Sequence, residues 1–345
     1  MRRQNKIFVV FGFPINKHWL AENLKSKYGD NVRVIAFKRR LKDSVLRGAR
    51  VVPLLKTAFC LIGQSLKIMF KSRRNDVIVC WDARHAFILN FYTKILFSRR
   101  KIIAMHCLSP KWGKGGIYKK IHRISAKSKD MSIVVNDRNG ANDWAKYLDL
   151  KNTDNYYFIP DVYGDAENFY DYSFKDKRYC FTGGMNNRDW SLIANLAERN
   201  PNIEFVCVAL ENDFKKQVES IPQNMTVYYS LPSEEYYSLM KGAYLVLLPL
   251  KSKIVAGLIN ITKSAFFCVP CCITKTSSAE IYFSDERFLI EDGLENWERA
   301  VNSFYTMGED EYKRTAVQYQ KYIKDNFSPQ SAIDKLTKII DKYLN

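Results

Sequence analysis

The sequence predicts an α/β protein of two doubly wound domains followed by a helical C-terminal tail. Three observations carry that reading. At 345 residues the chain is too long for one ordinary core and sufficient for two. Short apolar runs alternate with amphipathic stretches through both halves, the pattern of parallel strands buried under helices on both faces. Between the halves a polar, aromatic segment with Pro160, Gly164 and several aspartates breaks the rhythm. Hydrophobic residues at 47% and charged residues at 26% exclude a disordered chain.

The first half offers strands at 6–13, 32–37, 76–81, 101–107, 132–135 and 156–159, with helices at 18–28, 86–97, 117–126 and 140–150. The second series begins with a strand at 178–182. Helices follow at 189–198, 213–220, 233–241, 260–267 and 278–283, separated by strands at 203–208, 226–230, 244–249, 271–274 and 288–291. From Leu294 the pattern is helical to the end except at Ser328-Pro329. We therefore expect an N-terminal domain over 1–165, a linker over 166–177, a C-terminal domain over 178–327, and a last helix over 328–345 returning toward the first domain.

Several classes are excluded early. The eight cysteines lie mostly in apolar runs, which suits reduced, buried thiols better than a disulfide framework. Cys268-Val-Pro-Cys271 has redox spacing, but no second pair or histidine cluster accompanies it. The basic start followed by Ile7–Phe13 imitates a secretion signal, lacks a small-residue cleavage site, and reads better as a first strand. No uncharged run approaches the roughly 18–20 residues that span a bilayer.

Charge is concentrated at one end. Residues 1–100 hold 22 Lys and Arg against five acids, a net +17 of the chain's +18. Within that region residues 54–74 form a basic amphipathic helix: Lys56, Lys67, Lys71 and Arg74 fall on one arc, and Leu55, Phe59, Ile62, Leu66, Met69 and Phe70 on another. Such a helix docks on an anionic membrane surface or packs on its own domain with its lysines in water. Nucleic acid is the rival partner for this charge, but no helix-turn-helix, zinc or RNA-recognition pattern supports it.

Ligands of open α/β sheets bind beyond the carboxyl ends of strands, and anions favour helix starts. Three turns of the second half fit. Gly183-Gly184 lets backbone approach a ligand, and Arg188 supplies a donor fork suited to phosphate. The run from Lys251 to Lys263 brings Gly257, Asn260, Thr262 and Lys263 to a second helix start. Thr274 to Glu280 is a hydroxyl-rich third turn. Singly each reads as a cap; at one edge of one sheet they read as a site.

These residues resemble family 4 glycosyltransferases of the GT-B type. The strand–Gly-Gly–x3–Arg-Asp-Trp start is similar, as is Ala256-Gly257-Leu258 running through Ser264-Ala265 to Cys268-Val269-Pro270 and on to Ser278–Ile281. The family commonly carries two glutamates separated by seven residues. Counted from Pro270 these positions are Val255 and Lys263, and counted from Gly257 they are Ile254 and Thr262. Neither register holds a glutamate, so the chain reads as a divergent member, with Lys263 available to a phosphate.

The resemblance implies GT-B architecture, two Rossmann-like domains facing a cleft, and a hexosyltransferase-like, retaining, metal-independent enzyme. It implies a UDP- or GDP-linked sugar as donor, no cofactor, and a donor or diphosphate site at Gly183, Gly184, Arg188, Gly257, Asn260, Thr262, Lys263 and Glu280. The acceptor belongs to the first domain, where His106 ends a central strand at the place the family often gives a residue beside the reacting sugar. Asp82 offers a second catalytic candidate; a core histidine and a helix cap are the plain alternatives for the two. Together with the basic half, this predicts transfer to a saccharide or polyprenyl-diphosphate-linked acceptor in bacterial surface polysaccharide assembly, by a cytoplasmic protein peripheral at the inner face of the membrane. A nucleotide-sugar epimerase of the same fold and a non-enzymatic basic nucleic-acid- or membrane-binding relative are the alternatives.

Overall fold

The computed structural model describes residues 5–37, 51–107, 116–163, 169–173, 178–184, 187–253 and 256–344, with backbone alone at 51–58 and 117–118. Much of the predicted linker, 166–168 and 174–177, lies outside them. The first half holds β1 (Ile7–Phe11), α1 (Trp19–Tyr28), β2 (Val32–Ala36), α2 (Val51–Lys71), β3 (Val77–Cys80), α3 (Ala83–Ile95), β4 (Lys101–Ala104), α4 (Ile117–Ala126), β5 (Met131–Val135), α5 (Gly140–Leu148) and β6 (Tyr156–Phe158). The second holds β7 (Tyr179–Gly183), α6 (Trp190–Arg199), β8 (Glu204–Ala209), α7 (Glu211–Lys215), β9 (Met225–Tyr229), α8 (Ser233–Gly242), β10 (Leu245–Leu248), α9 (Leu258–Phe266), β11 (Cys271–Thr274) and β12 (Leu289–Ile290). Helices α10 (Leu294–Tyr305), α11 (Glu309–Asn326) and α12 (Pro329–Leu344) complete the chain.

Two compact units result, Met1–Pro160 with Pro329–Asn345 and Asp161–Ser328. Each is built on a six-stranded sheet, ordered β2-β1-β3-β4-β5-β6 in the first and β12-β11-β10-β7-β8-β9 in the second. All pairings between these strands are parallel. Residues such as Ile7–Phe11 in β1, Val77–Cys80 in β3 and Leu245–Leu248 in β10 are buried throughout, because helices cover both faces. α12 belongs to the first unit, where Tyr28 Oη donates to Asp341 at 2.7 Å and the Ser132 and Tyr343 hydroxyls pair at 2.6 Å.

Two expected helices are shorter than the pattern suggested, and the tail is interrupted once more. The helix expected over 213–220 is the five-residue α7, and that over 278–283 is one 3-10 turn at Glu280–Tyr282. The tail breaks a second time, at Gly308, which caps α11.

α2 departs from its predicted faces in an informative way. Its packed side is Leu61, Gln64, Ser65, Ile68, Met69 and Ser72, half of it polar, whereas Phe59 and Phe70 are exposed together with Lys67, Lys71 and Arg74. The polar residues face inward because they have buried partners. Gln64 Oε1 meets His85 Nε2 at 2.6 Å, and Ser72 Oγ accepts from Arg100 Nε at 2.9 Å. Arg100 also donates through Nη2 to the Met69 and Ser72 carbonyls at 2.8 and 2.9 Å. It thus satisfies carbonyls that the end of α2 would leave without partners.

Two outcomes follow. Arg100→Ala strands those buried acceptors and destabilises the first unit by about 1.5–3 kcal/mol, read as a lower thermal midpoint and faster amide exchange over 66–72; an unchanged midpoint would refute the staple. His122, stacked on Phe87 at 3.9 Å, is lowered by burial to about 4 from 6.5. The unfolded chain therefore takes up the proton first, and stability falls as pH drops from about 6.5 toward 4. His122→Phe should flatten that fall in urea titrations across this range.

Candidate functional site

In the second unit the chain leaves β7 for β8 on one side and returns to β10 on the other, so β7 and β10 flank the topological switch point. The loops that follow these two strands are tied to each other. Asp189 N donates to Pro249 O at 3.1 Å, Lys251 N to Asn187 O at 3.1 Å, and Asn187 Nδ2 to Ser252 O at 2.7 Å. Thr274 Oγ1, at the end of β11, accepts from Leu250 N at 2.8 Å and fixes the second loop from below.

The Gly183 carbonyl lies at the centre. It accepts from Arg188 Nε and from Asn260 Nδ2, both at 2.9 Å, and Asn260 Nδ2 also reaches Tyr236 Oη at 2.9 Å. A side chain at Gly183 would put its Cβ 2.7 Å from Tyr236 Cζ. Gly184 and Gly257 have φ of 138° and 81°, and the Arg188 guanidinium occupies the space beside both, its Nη2 at 3.0 and 3.4 Å from the respective Cβ positions. Arg188 is buried, which lowers its pKa, while the neighbouring Tyr236 acts in the opposite sense.

The two helix starts at this edge differ. α6 is capped by Asp189, whose carboxylate accepts from Leu192 N at 3.0 Å and Ser191 Oγ at 2.8 Å. α9 begins at Gly257 with no side-chain cap. An anion is therefore favoured at α9, beside the Arg188 fork.

The structure brings Gly183, Gly184, Arg188, Gly257 and Asn260 together. Thr262 is buried and spends its hydroxyl on Ile259 O at 3.0 Å, inside its own helix. Lys263 lies farther along α9 with its ammonium 5.5 Å over the Tyr237 ring and 5.1 Å over Phe266. Glu280 is exposed in the 3-10 turn after β11, whose entry Thr276 closes by accepting from Ala279 N at 3.1 Å. Val255 and Ile254 lie outside the described residues. Thr274, from the third turn, joins the residues brought together, and Tyr236 completes the arrangement without having been singled out; it comes from α8, and no spacing links it to Gly183.

In the first unit β1 and β3 flank the corresponding switch point. Beyond it the Trp81 ring stands 4.1 Å from His106 and 4.4 Å from His18, with Trp19 at 6.0 Å, as centroid separations. His18 caps α1 by accepting Leu20 N on Nδ1 at 3.3 Å, so its neutral ring carries the proton on Nε2. Burial, then the neighbouring His106, lowers its pKa to about 4. His106 adopts φ 52°, and its Nδ1 lies 3.2 Å from Asn136 Nδ2. Sequence spacing gave no signal for His18, Trp19 or Trp81 as partners of His106; only the sheet order joins them.

Asp82 caps α3 and accepts from Arg84 N and Nε, each at 2.9 Å. Burial opposes its ionisation, but the bonds and charge of Arg84 outweigh burial and hold the carboxyl below its ordinary range. It is a fixed anion anchoring the turn after β3, poorly suited to taking up a proton. Lys67, Lys71 and Arg74 are exposed, and the side chain of Lys56 lies outside the described residues. Because α2 ends just before β3 begins, Lys71 and Arg74 sit at the amino edge of the sheet, whereas His106 lies beyond its carboxyl edge. Among the described residues no three His, Cys, Asp or Glu side chains converge as a metal ion requires, and no helix is long and apolar enough to cross a membrane.

No family model matches the chain, and no curated protein does. Solved structures do. A glycosyltransferase from Rickettsia africae superposes with a TM-score of 0.69 at 9% identity, over 99% of both chains. HepE from Anabaena in complex with UDP gives 0.69 at 12% identity, over 98% of this chain and 100% of that one. WaaG, a glycosyltransferase involved in lipopolysaccharide biosynthesis, gives 0.62 at 13% identity, over 98% of this chain and 99% of that one. With two parallel six-stranded sheets of alternating strands and helices and a C-terminal helix on the first unit, this chain has the GT-B glycosyltransferase fold.

Proposed function

We propose that the protein is a glycosyltransferase taking a sugar from a UDP- or GDP-linked donor held by the second unit. The observation that carries this is the convergence of Arg188, the uncapped start of α9 and Asn260 beside the β7/β10 switch point. A guanidinium fork and a helix N-terminus at one place suit a diphosphate, the group that departs with negative charge when the sugar is transferred. The crystallised complex of HepE with UDP, in the same fold, fits this assignment. In this reading Arg188 and the α9 amides stabilise the leaving diphosphate without a metal ion, and configuration is retained.

The first unit takes the acceptor at its own switch point, with Trp81 and His106 there and Asp82 anchoring the turn that carries Trp81. The acceptor is a saccharide on a polyprenyl-diphosphate carrier, as in bacterial surface polysaccharide assembly, presented at the inner face of an anionic membrane. Support comes from the net +17 of residues 1–100 and from the involvement of WaaG, of the same fold, in lipopolysaccharide biosynthesis.

Titration of UDP- and GDP-sugars by calorimetry tests the donor site. Arg188→Ala should weaken the bound sugar nucleotide by about 1.5–3 kcal/mol, and Arg188→Lys, which keeps the charge and loses the fork, should recover only part. Lys263→Ala should matter less, given its place over Tyr237 and Phe266. Unchanged affinity in a folded Arg188→Ala would take Arg188 out of the site. His106→Ala, in contrast, should leave donor affinity near wild type and lower turnover; a collapse of affinity with normal turnover of bound donor would reverse the assignment of the two units.

A further inference from the structure

The amino edge of the first sheet carries an apolar patch that neither the fold nor the donor site uses. α3 ends in Ile95, Leu96 and Phe97, which are 53%, 54% and 94% exposed, and Phe97 sits at φ 48° with its ring in solvent. Phe70, 84% exposed, lies at the end of α2. These two ends are stapled side by side: Arg100 bonds Ser72 and the Met69 carbonyl, and Asn75 N donates to Arg99 O at 3.4 Å. On the other flank Lys94 Nζ donates to Ile124 O at 2.7 Å, drawing the exposed Ile124 of α4 to the same edge.

Large apolar side chains this exposed, on element ends tied to one another, mark an interaction surface. Its rim identifies the partner. Lys67, Lys71, Arg73, Arg74, Arg99 and Arg123 are exposed around it. The acids on this stretch of the edge are engaged, Asp76 with the Lys6 and Arg73 amides at 2.9 and 2.7 Å and Asp130 with Lys101. A protein partner of mixed charge would meet no complementary acid or base pattern here, whereas an anionic bilayer offers both a negative surface and an apolar layer just beneath it.

We propose that Ile95–Phe97 and Phe70 form a wedge that enters the headgroup layer of an anionic membrane, inside a collar of Lys and Arg. This rests on the membrane-facing reading of the first unit, but it names a different element, at the sheet edge opposite to His106. The basic arc of α2 supplies attraction; the α3–β4 turn supplies insertion. The exposed φ > 0 conformation of Phe97 directs an aromatic ring outward at the tip of that turn.

The test uses the full chain and vesicles of phosphatidylcholine alone or mixed with phosphatidylglycerol. Wild type should co-sediment with the mixed vesicles and much less with the neutral ones. Phe70→Ser/Leu96→Ser/Phe97→Ser should lower the partition coefficient about a hundredfold, the cost of leaving such side chains in water, and make the residual binding more sensitive to salt. In Phe97→Trp, acyl-chain-brominated lipid should quench fluorescence beyond the level of the six native tryptophans. Undiminished vesicle binding by the triple variant, or no added quenching, would overturn the wedge while leaving surface attraction intact. A triple variant that turns a dimer into a monomer with no change in vesicle binding would assign the patch to a second copy instead. Thermal shifts with UDP- and GDP-sugars, run on the same proteins, report the donor site separately, so loss of the wedge and loss of the transferase reading are distinguishable.

Discussion

One carbonyl oxygen organises the second unit. Gly183 ends β7, and its oxygen is shared by a guanidinium from the next loop and an amide from α9, a helix reached only after three more strands. A buried backbone acceptor left unpaired costs about 1–3 kcal/mol, so this oxygen holds both side chains to one position. The arrangement requires glycine at 183, because the Tyr236 ring stands where a Cβ would go, and the same ring supplies the hydroxyl that Asn260 reaches. Arg188, Asn260 and Tyr236 are thereby fixed as a set. Small residues at 184 and 257 then let the guanidinium lie flat between two backbone turns.

The two units apply the same topological rule to opposite chemistry. Each places functional side chains beyond the strands that flank a change of winding direction. In the second unit the set is cationic, with a helix dipole behind it, and a charge in such buried surroundings acts at a lower effective dielectric than in water. In the first the set is aromatic, and His18 stays neutral down to about 4 because burial and the nearby His106 oppose a second positive charge. The exposed Lys71 and Arg74 lie at the amino edge of the first sheet, away from this aromatic set. A neutral sugar ring suits the one environment and a diphosphate the other.

All twelve strands were legible from the sequence, because a parallel sheet covered on both faces demands runs such as IFVVF, VIVC and LVLL that no amphipathic helix produces. The glycine turns and Arg188 were legible for the same local reason. What was not legible depended on contacts remote in sequence. The faces of α2 were misassigned because periodicity assumes that apolar residues point inward, and here Gln64 and Ser72 are drawn in by His85 and Arg100 while Phe59 and Phe70 are left out. Tyr236 joins Gly183 from 53 residues away in chain order, as the two positions show. Lys263 was placed by register counting, which cannot see that a ring on α8 and another at the end of α9 hold its ammonium.

Neither counted register holds a glutamate, which bears on the proposed donor site. A carboxylate near a sugar nucleotide accepts hydrogen bonds from hydroxyl groups. Thr262 cannot supply this, since its hydroxyl is buried and already donates to Ile259 O. Lys263 cannot either, because an ammonium has donors and no acceptor. Near the start of α9 the Asn260 amide and the Tyr236 hydroxyl offer neutral oxygens; burial pushes the Tyr236 pKa up against the opposing pull of Arg188. Both act here without ionising. A donor site of the proposed kind would concentrate its charge recognition in Arg188 and leave hydroxyl recognition to uncharged groups, so substituting one carboxylate into α9 would not by itself supply a pair.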